Sequence, residues 1–220
     1  MSLGLFILAL LLAAADWVAV YKHWRKIEIF LKPMVMVVLL LAVFAAQPAL
    51  PGRLAFFAAG IVFSLLGDAL LLSTRGFMAG LVMFALAHIS YIIGFNIPLP
   101  RLDLFIVLLA IFVAMLAGRL YRRINEGLHQ KGLHRLQRAI QVYLVLLSLM
   151  FISGFSTLFR VEWPAAAALL VAGGATLFIV SDTMLAWNKF VRPLRTRRVG
   201  YMIAYHLGQI AIIAGVVLMG

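Results

Sequence analysis

The chain has 220 residues, of which 65% are apolar, and its mean hydropathy is +1.11. That apolar content exceeds what a soluble domain of this size needs, and the absence of cysteine excludes disulfides and thiolate chemistry. The formal net charge of +12 is compatible with a nucleic-acid partner, but the placement of the charges along the chain argues for a membrane instead.

Eight apolar runs follow one another and predict eight membrane-spanning helices, since a spanning helix needs about 20 mostly apolar residues. The runs are continuous rather than alternating, which favours helices over barrel strands. No Lys or Arg precedes the first run, so we expect a retained helix rather than a signal peptide. We predict an all-α, polytopic membrane protein with a single integral membrane domain over residues 1–220 and helices at 3–20, 34–48, 54–73, 77–97, 101–121, 138–156, 164–186 and 199–218.

Positive charge is divided unequally between alternate connections. Sixteen of the nineteen Lys and Arg residues lie in or beside connections 1–2, 3–4, 5–6 and 7–8, and the other three are Arg53, Arg101 and Arg160. Lys and Arg accumulate on the cytoplasmic side of membranes. Both termini are therefore expected on the periplasmic side of a bacterial inner membrane, with the longest connection, 122–137, on the cytoplasmic surface. Orientation and contact with anionic lipids then account for the basic excess, and no nucleic-acid partner is expected.

Three aspartates, Asp16, Asp68 and Asp182, fall inside apolar runs. A charged Asp at the centre of a spanning helix costs about 2.5–3.5 kcal/mol, so such residues usually face the bundle interior and mark functional sites. Gly67-Asp68 in helix 3 resembles Ser181-Asp182 in helix 7, and the next helix carries a histidine in each case. This recurrence indicates a possible parallel 4+4 pseudo-repeat.

The depth of the two matched aspartates is similar. Asp68 lies five residues before Ser73 and Asp182 five before Trp187, which places both roughly 7–8 Å from the cytoplasmic ends of their helices. Polar side chains that we expect near them on neighbouring turns and helices form a predicted substrate-binding set: Lys32, Ser64, His88, Tyr91, Tyr205, His206 and Gln209. The ordinary alternative is structural, with Asp68 bonded to Ser64 or to an arginine and the aromatic residues serving helix packing.

Two carboxylates at headgroup depth are suited to acid–base chemistry on a lipid. One protonated Asp can donate a proton, while an ionised partner activates water or stabilises a cationic intermediate. Glycosidases apply this division of labour to an acetal-type bond through an oxocarbenium-like transition state. A vinyl ether is acid-labile for the same reason, because protonation of its β-carbon gives an oxocarbenium ion that water traps. From the residues alone, we expect a membrane enzyme or transporter with a carboxylate site on the cytoplasmic side.

Over nearly its whole length the chain resembles the YhhN family of eight-helix membrane proteins, whose characterised members are lysoplasmalogenases. The resemblance is carried by Lys32-Pro33 opening helix 2, by Gly67-Asp68, by Ser181-Asp182, and by two sets in helices 4 and 8: Phe77, Gly80, Phe84, His88 and Tyr91; Tyr205 and Gln209. It implies cleavage of the vinyl ether of lysoplasmalogens to a fatty aldehyde and glycerophosphoethanolamine or glycerophosphocholine. It also implies that Asp68 and Asp182 are catalytic and that the substrate is a lysophospholipid. We expect no cofactor, and we expect the histidines to support the site rather than bind a metal.

Two other functions compete with this one. A metal-dependent, ceramidase-like lipid hydrolase would use His88, His206, Asp68 and Asp182 as zinc ligands, although no HxxxH or HExxH pair is present. A proton-coupled lipid transporter would use the intramembrane Asp and His residues as a relay, although the polar residues cluster on one side. Sensitivity to a chelator would favour the first, and substrate uptake without hydrolysis the second.

Overall fold

The computed structural model describes residues 2–73, 75–100, 104–194 and 197–219. Eight helices in these ranges are long and apolar enough to cross a membrane, and the described residues contain no strand. The all-α prediction is thereby confirmed. The helices are α1 Ser2–Tyr21, α2 Arg25–Ala46, α3 Arg53–Leu71, α4 Phe77–Phe95, α5 Leu104–Gln130, α6 Gln137–Ser156, α7 Ala165–Ala186 and α8 Arg197–Val217.

Helix α8 lies at the centre of the bundle and α5 at its edge. Helix α8 packs against α1, α2 and α7, and 67% of its most apolar stretch is buried inside the protein. Only 6% of the corresponding stretch of α5 is buried, and this helix packs chiefly against α6 and the segment that follows α7. Polar residues on α8 are thus shielded from lipid, whereas most of α5 is available to it.

Small residues allow the helix pairs around the site to approach closely, as is common in membrane bundles. Gly174 of α7 and Gly208 of α8 face one another, and a Cβ on Gly174 would lie 2.7 Å from the Gly208 carbonyl oxygen. In α3, a Cβ on Gly67 would lie 2.7 Å from the ring of Phe84 in α4. Gly67 therefore lets α4 pack directly beside Asp68. The similar packing of α3–α4 and α7–α8 is compatible with the 4+4 repeat, which stays a prediction.

The charges segregate to the two ends of the bundle. At one end, here called the basic end, the Arg198 guanidinium pairs with Glu28 and the Lys131 ammonium donates to the Lys189 carbonyl at 2.7 Å. At the opposite end Arg160 donates to the Phe95 carbonyl at 2.6 Å. Alternate connections therefore meet at common ends, as the charge pattern predicts. Arg101 and Arg195, which belong to that pattern, and the predicted start of helix 5 at residue 101 lie outside the described residues.

The predicted boundary of helix 2 is wrong. Lys32-Pro33 does not open a short helix, because α2 begins at Arg25 and Pro33 lies inside it. The sequence predicts a polar connection over the first two turns of α2. In the structure Glu28 and Lys32 are buried, and each pairs with a residue of opposite charge on another helix. These partners, rather than local propensity, stabilise the additional turns.

The prediction that residues 122–137 form a connection is also wrong. Helix α5 continues to Gln130, and a short turn and the 3₁₀ segment His134–Leu136 lead into α6. The added turns bury Ile124 and Leu128 completely. Gly127 does not interrupt this helix, because it lies against the Phe190 carbonyl, where a Cβ would approach the oxygen to 2.0 Å.

Candidate functional site

Asp68 is held by donors from two other helices. Its side chain is completely buried, with Oδ1 lying 3.0 Å from the ammonium of Lys32 and Oδ2 accepting a 2.8 Å hydrogen bond from Tyr205. Helices α2 and α8 thus each supply a donor to the carboxylate of α3. This arrangement satisfies a buried charge, which is costly unless it is paired and hydrogen-bonded.

Asp182 has a different set of partners. Its Oδ2 accepts a hydrogen bond from the Tyr143 hydroxyl of α6 and lies 3.6 Å from Nε2 of His88 in α4. The same Nε2 lies 3.0 Å from the Tyr143 oxygen. Since the Tyr143 proton is directed at Asp182, His88 Nε2–H donates to Tyr143, and its buried Nδ1 has no hydrogen-bond partner among the described residues. Asp182, Tyr143 and His88 thus form one connected polar group.

The two aspartates line one cavity. This cavity of about 60 Å³ opens between α3, α4, α6, α7 and α8, and we call it the central cavity. Lys32, Tyr205 and Tyr143 line it together with Asp68 and Asp182. The remaining walls are largely apolar, from residues such as Phe84, Leu144, Leu147 and Phe190. The cavity therefore brings both carboxyl groups to one largely apolar space.

A second cavity of about 320 Å³ adjoins the first at the basic end, and we call it the vestibule. It shares Lys32 and Tyr201 with the central cavity, and Arg25, Lys189 and Arg198 also line it. Glu28 pairs with both Arg25 and Arg198. Because Lys32 is already paired with Asp68, three further cations set against Glu28 leave an excess of positive charge, which favours an anionic ligand such as a phosphate.

Three residues of the predicted substrate-binding set form a buried network behind the central cavity rather than lining it. Tyr91 donates to Gln209 at 2.7 Å, and Gln209 donates to Ser64 at 2.9 Å. All three side chains are completely buried. This network joins α3, α4 and α8, and it fixes the turns next to Asp68 and Tyr205.

The two predicted histidines lie in different surroundings. His88 contacts Asp182 and Tyr143, as described above, although it does not itself line the central cavity. His206 faces α1, where its Nδ1 accepts a 3.1 Å hydrogen bond from the Trp17 indole. Asp16, the third intramembrane aspartate, is completely buried, and neither of its oxygens has a hydrogen-bond partner among the described residues. Across the part of the chain that the structure describes, no three His, Asp or Glu side chains cluster in a metal-binding arrangement.

Tyr143 is the functional candidate that sequence reasoning missed. It lies in the apolar run of α6 without a polar neighbour that would distinguish it from a packing aromatic residue. Its role depends on the contact of α6 with α4 and α7. In the sequence, Arg25 and Lys189 contribute only to the charge asymmetry that predicts the topology. The fold brings both to the vestibule.

Comparisons with known proteins found a matching family model and several related proteins. The model of the YhhN family matches residues 27–216. The pig protein named lysoplasmalogenase TMEM86B is 32% identical over 155 residues, covering 69% of this chain and 59% of the relative. The human protein named lysoplasmalogenase TMEM86A is 30% identical over 167 residues, covering 70% of this chain and 61% of the relative. The chain thus spans about three fifths of the length of these relatives, and no solved structure matches it.

Proposed function

The chain belongs to the YhhN family, and we propose that it is a lysoplasmalogenase-like hydrolase that cleaves the vinyl ether bond of lysoplasmalogens. The products are a fatty aldehyde and glycerophosphoethanolamine or glycerophosphocholine. The observation that carries this proposal is the position of Asp68 and Asp182 on one small cavity that adjoins a cationic vestibule. The names of the related proteins support the same reaction class.

In this proposal Asp182 is the proton donor. Its side chain is 13% exposed, against 1% for Asp68, so it is the carboxyl better placed to touch a substrate in the central cavity. Protonation of the vinyl ether β-carbon forms a C–H bond and leaves an oxocarbenium ion at the adjacent carbon. Tyr143 and His88 hold the carboxyl in place and take part in its reprotonation.

Asp68 is the ionised partner. The Lys32 ammonium and the Tyr205 hydroxyl both donate to it, which favours a carboxylate with acceptor capacity left for a water. That carboxylate stabilises the cationic intermediate. It also accepts a proton from the water as this water attacks the oxocarbenium carbon. In the resulting hemiacetal the hydroxyl gives up its proton, the bond to the glycerol oxygen breaks and that oxygen takes up a proton. The proton held by Asp68 then returns to Asp182. The sum is one water consumed for one aldehyde and one alcohol, with no net proton change.

The vestibule is proposed to hold the phosphate of the substrate. Lys32 belongs to the predicted substrate-binding set and also lines the vestibule. Because its ammonium already pairs with Asp68, we assign the phosphate chiefly to Arg25, Lys189 and Arg198, with Lys32 between phosphate and carboxylate. We further propose that the basic end faces the cytoplasm and that both termini face the periplasm, since positive charge marks the cytoplasmic side.

A panel of matched lysophospholipids tests the proposed function. Purified protein should release aldehyde from a 1-alkenyl substrate, leave the 1-alkyl ether intact, and retain its activity in EDTA. Fatty-acid release from a 1-acyl substrate, lost with a chelator, would replace the proposal with the metal-dependent hydrolase. Transfer of intact substrate across a proteoliposome membrane, with no cleavage of any panel member, would replace it with the transporter.

A further inference from the structure

Helix α5 is anchored at one end and stands away from the bundle over most of its length. Its buried residues near the basic end are Ile124, Gly127 and Leu128, and Gly127 packs against the Phe190 carbonyl. Farther along the membrane only Val113 of its described residues is buried. The gap that remains between α5 and the pair α6–α7 forms a lateral groove of about 510 Å³, here called the tail groove.

The tail groove has apolar walls and defined ends. Two hydroxyls that line it are satisfied within their own helices, because Ser148 donates to the Leu144 carbonyl and Thr176 to the Ala172 carbonyl, each at 2.7 Å. Toward the opposite end of the bundle, the rings of Phe105 and Phe159 meet with centroids 4.0 Å apart and close the gap. The Gly127–Phe190 contact closes it at the basic end. The groove is therefore a bounded slot that suits a hydrocarbon.

The tail groove adjoins the central cavity. Leu144 and Leu147 of α6 line both spaces, so their side chains form the partition between them. Thr183, which follows Asp182 in the chain, also lines the groove. A chain that passes between Leu144 and Leu147 would thus leave the reacting centre and enter the groove directly.

We propose that the tail groove binds the hydrocarbon chain of the lysolipid substrate while its vinyl ether lies in the central cavity. This inference rests on the proposed function. The central cavity, at about 60 Å³, is far smaller than the tail groove, at about 510 Å³, and it has to hold the reacting atoms and a water. The chain needs a separate apolar space, and the vestibule on the other side is cationic. The site then has three parts in series: vestibule for the phosphate, central cavity for the bond, groove for the chain.

The positions of the groove residues along α7 show how far from the reacting bond each part of the hydrocarbon chain would lie. Thr176 lies six residues from Asp182 toward the opposite end, which corresponds to about 9 Å along the helix. A bulky side chain at Thr176 would therefore leave the reacting bond and the first part of the chain undisturbed. It would exclude only the more distant methylenes, so its effect should depend on chain length.

Thr176→Trp tests this dependence, with Leu169→Trp as the matched control. Leu169 is on the same helix, is 65% exposed, and does not line the groove. An indole and the chain cannot occupy the same part of the groove, and overpacking of this kind typically weakens an apolar site at least about fivefold, so Thr176→Trp should raise KM for a long-chain alkenyl substrate by that factor or more. Its KM for a short-chain substrate should stay within about twofold of wild type, and Leu169→Trp should change neither. Equal effects on both chain lengths would overturn the proposal.

Photo-crosslinking makes the test independent of hydrolysis. The probe is a 1-O-alkyl lysophosphatidylethanolamine, which lacks the vinyl ether, with a diazirine at the end of its chain. Labelling should concentrate on groove residues such as Phe112 and Val180 and fall at least about tenfold in Thr176→Trp. Equal labelling of Leu169 would show only surrounding membrane lipid and refute the groove. If the protein labels in the groove but releases no aldehyde, the tail groove is supported as a hydrocarbon site and the proposed function is refuted.

Discussion

The ammonium of Lys32 lies 3.0 Å from Oδ1 of Asp68, and both side chains are buried in the bundle. This ion pair joins α2 to α3 at the boundary between the vestibule and the central cavity. It gives the site one carboxylate with a fixed ionic partner. Asp182, whose contacts are with Tyr143 and His88, has no Lys or Arg partner among the residues that the structure describes. The difference between these two environments underlies the roles assigned to the two aspartates.

Removing the cation of this pair should destabilise the protein. Lys32→Met leaves a buried Asp68 carboxylate without its ammonium, a change that typically costs about 3–5 kcal/mol. We expect a clear fall in Tm in detergent, with partial recovery in the Lys32→Met, Asp68→Asn double variant, because the second change removes the unpaired charge. Lys26→Met, at an exposed position of the same helix, is the control. An unchanged Tm in Lys32→Met would show that the pair does not contribute to stability.

Loss of the Tyr143 hydroxyl should act on turnover rather than on substrate binding. Tyr143→Phe removes the group that bridges His88 and Asp182. Because Tyr143 acts through Asp182, we expect kcat to fall about 10- to 100-fold, at or below the lower end of the effect of a general acid. KM should change little, and the matched variant Tyr121→Phe, on α5 and away from the central cavity, should behave as wild type. A rise in KM at constant kcat would assign Tyr143 to binding instead.

How far the site could be predicted from the sequence differs between its parts. The pairing of Asp68 with Asp182 follows from two carboxylates at similar depth, since apolar helices turn such groups toward one another. The link between Tyr143 and Asp182 depends on which helices are neighbours, and nothing in the run of α6 encodes that α4 and α7 pack against it. Which polar residues line the central cavity, and which form the supporting Ser64–Gln209–Tyr91 network, likewise depends on how the helices pack against one another.

The fold was predicted well except where tertiary contacts override local signals. Pro33 indicates a helix boundary because it lacks an N–H donor, and Glu28 and Lys32 indicate a polar loop. In the folded chain these charges find Arg198 and Asp68 as partners, so the helix extends through them. These partners lie far away in the sequence, so the residues of the segment itself do not reveal them.

The cations of the vestibule should determine affinity for the phosphate. Lys189→Gln and Arg25→Gln each remove a charge-assisted hydrogen-bond donor, so we expect KM for a lysoplasmalogen to rise roughly tenfold with little change in kcat. The surface variant Arg123→Gln, whose side chain pairs only with Glu126 among the described residues and lies outside the vestibule, should leave KM unchanged. A KM that responds equally to all three substitutions would indicate general charge attraction and no defined phosphate site.

The orientation of the bundle can be measured with single cysteines, because the native chain has none. Ser2→Cys and Gln130→Cys place thiols near opposite ends of the bundle. In intact cells or spheroplasts, an impermeant maleimide should label Ser2→Cys directly and Gln130→Cys only after the membrane is permeabilised. The reverse pattern would invert the proposed topology, and labelling of both from one side would contradict the five spanning helices, α1 to α5, that separate the two positions.

Aldehyde release by Asp68→Asn and Asp182→Asn is the most direct measurement of the central claim, that the two carboxylates act together on a vinyl ether. Asn preserves the shape of Asp but cannot exchange its proton. Asp182→Asn should insert and purify like wild type, whereas Asp68→Asn leaves the Lys32 ammonium without its carboxylate and should lose some stability. The folded fraction of each variant should release aldehyde from a lysoplasmalogen at least about 100-fold more slowly, as expected for loss of a general acid or base. Turnover close to wild type in either variant would make that aspartate structural and contradict the proposed mechanism.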